Sequence, residues 1–343
     1  MRKPENTHKA RPIDGSREIL ECGHSTEPDI ALIEKLPGLK EIRFRIHQHA
    51  NNEAVMLLTG PTGTGKKYLA KYIHAISCRW TGPFIGVNCA AVTETLFEQE
   101  YFGRRRGSST GASYDMPGFF GSADGGVLFL DEIGDIPLSQ YAKLLEAIES
   151  GYHRRVGESD ERFSDVKVIC ATNRDLDQML ESGTMREDFY YRINDVHIDI
   201  PPLKSRREDI PFYTEHFIRK HSLERGPDSV SIEPDALNLL LINDWPGNVR
   251  SLDRVLRKAV FECDNTISKE LTEKLLLETS RSSRDHFDLR AERCRWEIQQ
   301  LRWALYKANG KDAVAAQLLG LKTKRQFTQL KQRLGLKNRD LLR

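Results

Sequence analysis

The sequence predicts an α/β architecture. A parallel sheet with crossover helices should span residues 28–203, an all-helical segment 204–278, and a small basic all-α module the C-terminus. Three observations carry this. Short β-branched runs alternate with helical patterns through the first region. In the second, Leu237, Leu240 and Leu241, then Leu252, Val255, Leu256 and Ala259, fall at helical spacing. Charge is also divided unevenly. Residues 289–343 carry 14 Lys and Arg against four acids, a net +10, although the 343-residue chain totals only +2. The remaining 288 residues are therefore acidic at −8. A basic tail on an acidic body suggests a polyanion-binding module.

Composition excludes several classes. At 39% hydrophobic and 30% charged residues, the chain is too apolar for general disorder and too polar for a membrane protein. No apolar run approaches the ~20 residues of a spanning helix. Residues 1–27 are polar, broken by proline and glycine, and read as a tail. The opening Met1-Arg2-Lys3 lacks the apolar core of a signal peptide, so a cytoplasmic location is expected. Six scattered cysteines without a CxxC pair argue against a disulfide framework or zinc site. The histidines form no metal-binding pattern, and His74, His153 and His197 read as packing or surface residues.

Five runs read as strands: 54–59, 84–88, 127–130, 166–171 and 197–200, the last closed by Pro201-Pro202. The first leads into Gly60, Pro61, Thr62, Gly63, Thr64, Gly65 and Lys66, followed by a helix-forming stretch. A phosphate cradle needs glycines so that backbone N–H groups can curl inward. It also needs a helix N-terminus for the anion and a lysine for the β- and γ-phosphates. Lys67 departs from the pattern, since Ser or Thr usually stands there to ligate Mg²⁺. The third strand delivers adjacent carboxylates, Asp131 and Glu132, at its C-terminal end, where ligands sit in an open α/β sheet. Asp131 would hold Mg²⁺ and Glu132 would polarise an attacking water. The pair also fits an acidic helix-capping turn, but the glycine-rich loop upstream favours ATP. Thr172-Asn173 at the fourth strand can touch the γ-phosphate or its water, and equally fits a turn.

These residues resemble the AAA+ ATPase family of P-loop NTPases, and within it the bacterial enhancer-binding activators of sigma-54 RNA polymerase. The resemblance covers nearly all of 28–275. It includes Val87-Asn88-Cys89-Ala90-Ala91, Arg186-Glu187-Asp188-Phe189-Tyr190-Tyr191-Arg192, and the lid signature Trp245-Pro246-Gly247-Asn248-Val249-Arg250. It implies an α-helical lid over 204–278 and a hexameric ring, built from dimers, with ATP between subunits. It makes Asn88 the switch partner of Glu132, Thr172 and Asn173 sensor residues, and Arg250 the lid residue that reaches the nucleotide. Arg186 and Arg192 become arginine fingers. Two readings of those arginines stand open: fingers worth ~10³–10⁵ in rate, or surface arginines paired with Glu187 and Asp188, worth at most ~1 kcal/mol each.

Family members carry a GAFTGA loop that contacts sigma-54. The matching stretch is Gly107, Ser108, Ser109, Thr110, Gly111 and Ala112, where serine replaces the aromatic. A central aromatic anchor is often worth ~2–4 kcal/mol, so this contact is where the chain departs most from the family. Arg104-Arg105-Arg106 beside it reads either as an electrostatic contact with DNA or an acidic surface, or as a solvated charge run.

After a linker at 279–288, the tail resembles a Fis-type helix-turn-helix, with a turn one residue longer than usual. Phe327, Leu330 and Leu334 share one face of its second helix. Lys324, Arg325, Thr328, Gln329 and Gln332 face outward, where Arg and Gln can read base edges. A basic hairpin for oligomerisation is the alternative. Together these features predict an ATP- and Mg²⁺-dependent sigma-54 activator bound to enhancer-like upstream DNA. The rival is a DNA-binding AAA+ regulator that oligomerises with ATP without touching sigma-54. No receiver or ligand-sensing domain precedes the ATPase stretch in this sequence, so control by a separate regulatory protein, expression level or DNA-driven assembly is expected.

Overall fold

The computed structural model describes residues 28–108, 114–226 and 229–282, with isolated positions between 312 and 328. Two helices, α1 (Pro28–Lys35) and α2 (Lys40–His49), come before any strand and bury Leu36, Ile42 and Ile46. The alternation expected from residue 28 therefore opens with helices. It continues as β1 (Met56–Thr59), α3 (Lys66–Ile76) and β2 (Phe84–Asn88). Short helices α4 (Phe97–Tyr101) and α5 (Gly118–Ser122) lead to β3 (Val127–Asp131) and α6 (Tyr141–Ser150). An antiparallel hairpin follows, β4 (Tyr152–Arg154) with β5 (Glu161–Phe163). Then come β6 (Lys167–Thr172), α7 (Leu176–Glu181), α8 (Glu187–Ile193) and β7 (Val196–Asp199).

All five long runs pair in one parallel sheet, in the order β2-β3-β6-β1-β7. Its central strands β3 and β6 are buried along nearly their whole length, which is why they read as continuous apolar runs. Parallel pairing sends every carboxyl end to the same edge. The register sets Asn88 beside Asp131, and Thr59 beside both Thr172 and Asp199. That edge carries the polar residues, and the site is built on it.

The second layer is helical. α9 (Ile210–Arg225), α10 (Pro234–Ile242), α11 (Asn248–Glu262) and α12 (Lys269–Ser282) surround a two-residue parallel pairing of β8 (Ser231–Ile232) with β9 (Thr266–Ile267). Leu240, Leu252, Val255, Leu256 and Ala259 are buried, as their helical spacing predicts. His221 Nε2 lies 2.8 Å from Asp253 Oδ1, joining α9 to α11. Residues 280–282, expected in a linker, instead continue α12, because Ser-Arg-Ser contains neither Pro nor Gly to stop a helix.

The chain forms two compact units, 1–275 and 276–343. Within the second, Ala315, Ala316 and Phe327 are buried and Thr328 is half-buried in helical backbone. Lys324, Arg325, Gln329 and Gln332 lie outside the described residues. Among the described residues no helix is long and apolar enough to cross a membrane.

Candidate functional site

β1 runs into the glycine loop, and α3 starts at Lys66 with Gly65 capping it at φ +106°. Only glycine takes that left-handed entry without steric cost. Lys66 is buried. Its Nζ donates to Gly60 O at 2.8 Å and Pro61 O at 3.4 Å, folding the ammonium back over the loop's own carbonyls. Burial lowers its pKa, while Glu132 and Asp131 pull the other way. Lys67 is exposed.

Asp131 closes β3, and its Oδ1 accepts from the Glu132 N–H at 3.2 Å. Burial raises its pKa, with Lys66 opposing. Glu132 sits at φ +57°, a left-handed position for a residue with a Cβ. Such a conformation costs roughly 1–2 kcal/mol and gathers at functional sites. Glu132 Oε2 accepts from the Asn173 N–H at 3.4 Å, and Asn173 Nδ2 donates to Thr62 Oγ1 at 2.7 Å. The second carboxylate of β3, the end of β6 and the glycine loop are thereby joined.

Asn88 and Thr172 stand differently. Asn88 lies beside Asp131 in the sheet, yet its Oδ1 accepts from Ala90 N at 3.0 Å and caps the following turn. Thr172 is fully buried, and its Oγ1 accepts from Arg174 N at 3.0 Å. Of the two residues ending β6, Asn173 is the one facing the loop. Arg250 is exposed at the start of α11, its N–H donates to Gly63 O at 3.3 Å, and its charge is felt at both Lys66 and Asp131.

Arg186 is exposed and makes a two-point pair with Asp188, Nε at 3.0 Å and Nη2 at 2.5 Å. Arg192 donates to Ile148 O at 3.2 Å, near the end of α6, and stands 3.9 Å from Asp195. Both belong to the segment around α8, Arg186 at its N-cap.

Gly107 and Ser108 are described, whereas Ser109, Thr110, Gly111 and Ala112 lie outside the described residues. The base of their loop is fixed. Arg104 pairs with Met116 antiparallel and with Val156 in parallel, and its guanidinium stands 5.6 Å over the Tyr114 ring. Arg104 is thus held in place, while Arg105 and Arg106 are exposed.

Sequence reasoning missed Arg206, Asp209 and the structural part of Asn248. Arg206 and Asp209 are fully buried and paired at 3.0 Å. No motif marked them, and nothing in the local sequence separates a buried arginine–aspartate pair from an exposed one. Asn248 was inside the lid signature, but its burial and its φ of +50° come only from the fold.

Comparison with known proteins agrees with this geometry. A family model described as the Sigma-54 interaction domain matches residues 32–199, and an AAA+ ATPase lid domain matches 204–288. The Nif-specific regulatory protein of Herbaspirillum seropedicae is 46% identical over 221 residues, 64% of this chain and 41% of that protein. Regulatory protein AtoC of Escherichia coli (strain K12) is 44% identical over 224 residues, 65% of this chain and 49% of its own. The nitrogen fixation protein AnfA of Azotobacter vinelandii is 36% identical over 319 residues, 92% of this chain and 60% of its own. The chain spans about half the length of the curated relatives it matches. Among solved structures, NtrX from Brucella abortus in complex with ATP superposes with a TM-score of 0.62 at 29% identity, covering 88% of this chain and 68% of that one. With its parallel sheet, glycine loop and helical lid, the chain belongs to the sigma-54-dependent regulator family of AAA+ P-loop proteins.

Proposed function

We propose that the chain is an ATPase that activates transcription by sigma-54 polymerase. Asn173 ties the glycine loop to the carboxylate that follows β3, its side chain donating to Thr62 Oγ1 at 2.7 Å and its backbone N–H to Glu132 Oε2 at 3.4 Å. That single observation carries the reading. Gly60, Pro61, Thr62, Gly63, Thr64, Gly65 and Lys66 would hold the phosphates of ATP, with Arg250 reaching them from the lid. Asp131 fits Mg²⁺, which takes one or two carboxylates together with phosphate oxygens and water. Lys67 supplies no hydroxyl, leaving Asp131 as the protein ligand. Bound Mg²⁺ would neutralise charge on the transferring phosphoryl group.

Within this reading, Glu132 orients and polarises the attacking water, and Asn173 fixes the Glu132 carboxylate relative to Thr62. Asn88 would act after leaving Ala90 N. In a ring of subunits, Arg186 and Arg192 would approach a neighbour's nucleotide, which for Arg186 requires release from Asp188. Residues 289–343 bind enhancer-like DNA through their positive charge. The 107–112 loop meets sigma-54 from the anchored base at Arg104 and Met116, and hydrolysis remodels the closed polymerase–promoter complex.

A second reading keeps ATP and DNA but drops sigma-54, and Ser109 in place of an aromatic favours it. One experiment separates them. Purified chain, sigma-54 and ADP–aluminium fluoride are run together, with Thr110→Ala alongside. A complex lost in the variant supports activation. ATP turnover without a complex supports the DNA-bound switch. Absence of turnover, together with failure to bind nucleotide, overturns both.

A further inference from the structure

Three consecutive carbonyl oxygens of the glycine loop are taken by donors from the lid side. Thr62 O accepts from Asn248 Nδ2 at 2.9 Å, Gly63 O from the Arg250 N–H at 3.3 Å, and Thr64 O from Arg206 Nη2 at 2.8 Å. In a planar trans peptide the C=O of one residue and the N–H of the next point in opposite directions. Holding these three carbonyls toward the lid therefore turns the N–H groups of the following residues to the loop's other side; there the Thr64 N–H already donates to Pro61 O at 3.4 Å, while those of Gly63 and Gly65 remain for an anion. An anion cradle is built from such N–H groups.

The donors are themselves fixed. Asn248 Oδ1 accepts from the Leu203 N–H at 2.8 Å, which settles the amide's orientation. Its φ of +50° is one that asparagine tolerates. The Arg206 guanidinium gives three further donors to Pro201 O at 3.2 Å, Asp209 Oδ2 at 3.0 Å and the Tyr213 hydroxyl at 3.0 Å. Asp209 Oδ1 accepts from the Gly38 N–H at 2.7 Å, bringing the turn between α1 and α2 into the network. The approach is close: a Cβ on Gly63 would lie 2.4 Å from Gly247 O.

We propose that Arg206 and Asn248 are positioning residues that hold the glycine loop in its anion-binding shape. The proposal rests on reading 60–66 as a nucleotide loop.

Two variants of the full chain test it. Arg206→Lys keeps a cation beside Asp209, but one ammonium cannot serve Thr64 O, Pro201 O, Asp209 and Tyr213 together. Asn248→Gly accepts the positive φ and removes both amide bonds. Dissociation constants for ADP and for adenosine are measured beside the melting temperature, with Arg207→Ala as control, since Arg207 is exposed and pairs with Asp244. Each test variant should lose ADP affinity by about tenfold or more, roughly 1.4 kcal/mol, while adenosine binding changes by less than about twofold. Arg207→Ala should change neither. Equal losses for ADP and adenosine would mark the contacts as simple packing and overturn the proposal, as would unchanged ADP affinity. Should Arg206→Lys fail to fold, Asn248→Gly decides alone. Wild-type chain that binds no ADP sinks the nucleotide reading first, and this proposal with it.

Discussion

Asn173 Nδ2 donates to Thr62 Oγ1 across 2.7 Å, and the same residue's backbone N–H reaches Glu132 Oε2. One asparagine therefore ties the Glu132 carboxylate, proposed above to polarise the attacking water, to the glycine loop. Asn173→Ala keeps the backbone contact and removes the side-chain tie. Turnover should fall about 10²-fold, the usual loss for one oriented donor at a reacting centre, with ADP affinity changed by no more than about threefold. A steady-state ATPase assay beside ADP titration checks both.

Glu132 couples strain to chemistry. At φ +57° its Cβ is unfavourable, so Glu132→Gly should leave stability unchanged or raise it by up to ~1 kcal/mol. The same change removes the carboxylate, and turnover should drop at least ~10²-fold. Urea unfolding and ATP hydrolysis measured on one preparation should show turnover lost with no loss of stability. Lost stability together with lost activity would mean that Glu132 is structurally required.

In the proposed ATP site, Lys67 stands where a hydroxyl would complete the Mg²⁺ shell. Lys67→Thr should lower the Mg²⁺ concentration for half-maximal turnover several-fold, because a hard oxygen ligand replaces a cation close enough to influence Asp131. An unchanged Mg²⁺ dependence would show that the second position of α3 faces away from the metal.

Lys167 opens β6 fully buried, its Nζ donating to Asn52 O at 2.6 Å, His49 O at 3.2 Å and Ala54 O at 3.4 Å. Burial outweighs the opposing charge of Glu53 and pushes its pKa down to about 8. The unfolded chain, with an ordinary lysine near 10.4, binds more protons than the folded one between those two values. Stability attributable to this group should therefore rise with pH through roughly 8 to 10.4 and be flat outside that window. The span is at most about 3 kcal/mol. In Lys167→Met the rise should vanish when urea midpoints are compared at pH 7.5 and 9.5.

The sheet was legible because each of its strands is a β-branched or apolar run bounded by turn residues, and β2 covers the expected span, Phe84–Asn88. The glycine loop was legible because phosphate cradles need a fixed order of residue types. Other features left no local trace. Arg206 and Asp209 carry no local mark of the burial that the fold gives them against Thr64 and Gly38. Sequence gives the residues near Glu132, but a hydrogen bond to Asn173 rather than to Asn88 depends on side-chain rotamers. The hairpin β4–β5 escaped because its strands are three residues each and β5 is exposed throughout. The linker was misread at its start because serine and arginine permit helix as readily as coil.

Thr62 and Asn248 are 186 residues apart along the chain. At a ribosomal pace of roughly 5–20 residues per second, the loop is synthesised about 10–40 s before the amide that completes it has been made. During that interval the nascent chain carries the glycine loop with three carbonyls awaiting partners. On the proposal above, competence for nucleotide is acquired late in synthesis rather than with the motif, and a message truncated before codon 248 is expected to encode the loop's letters without its shape.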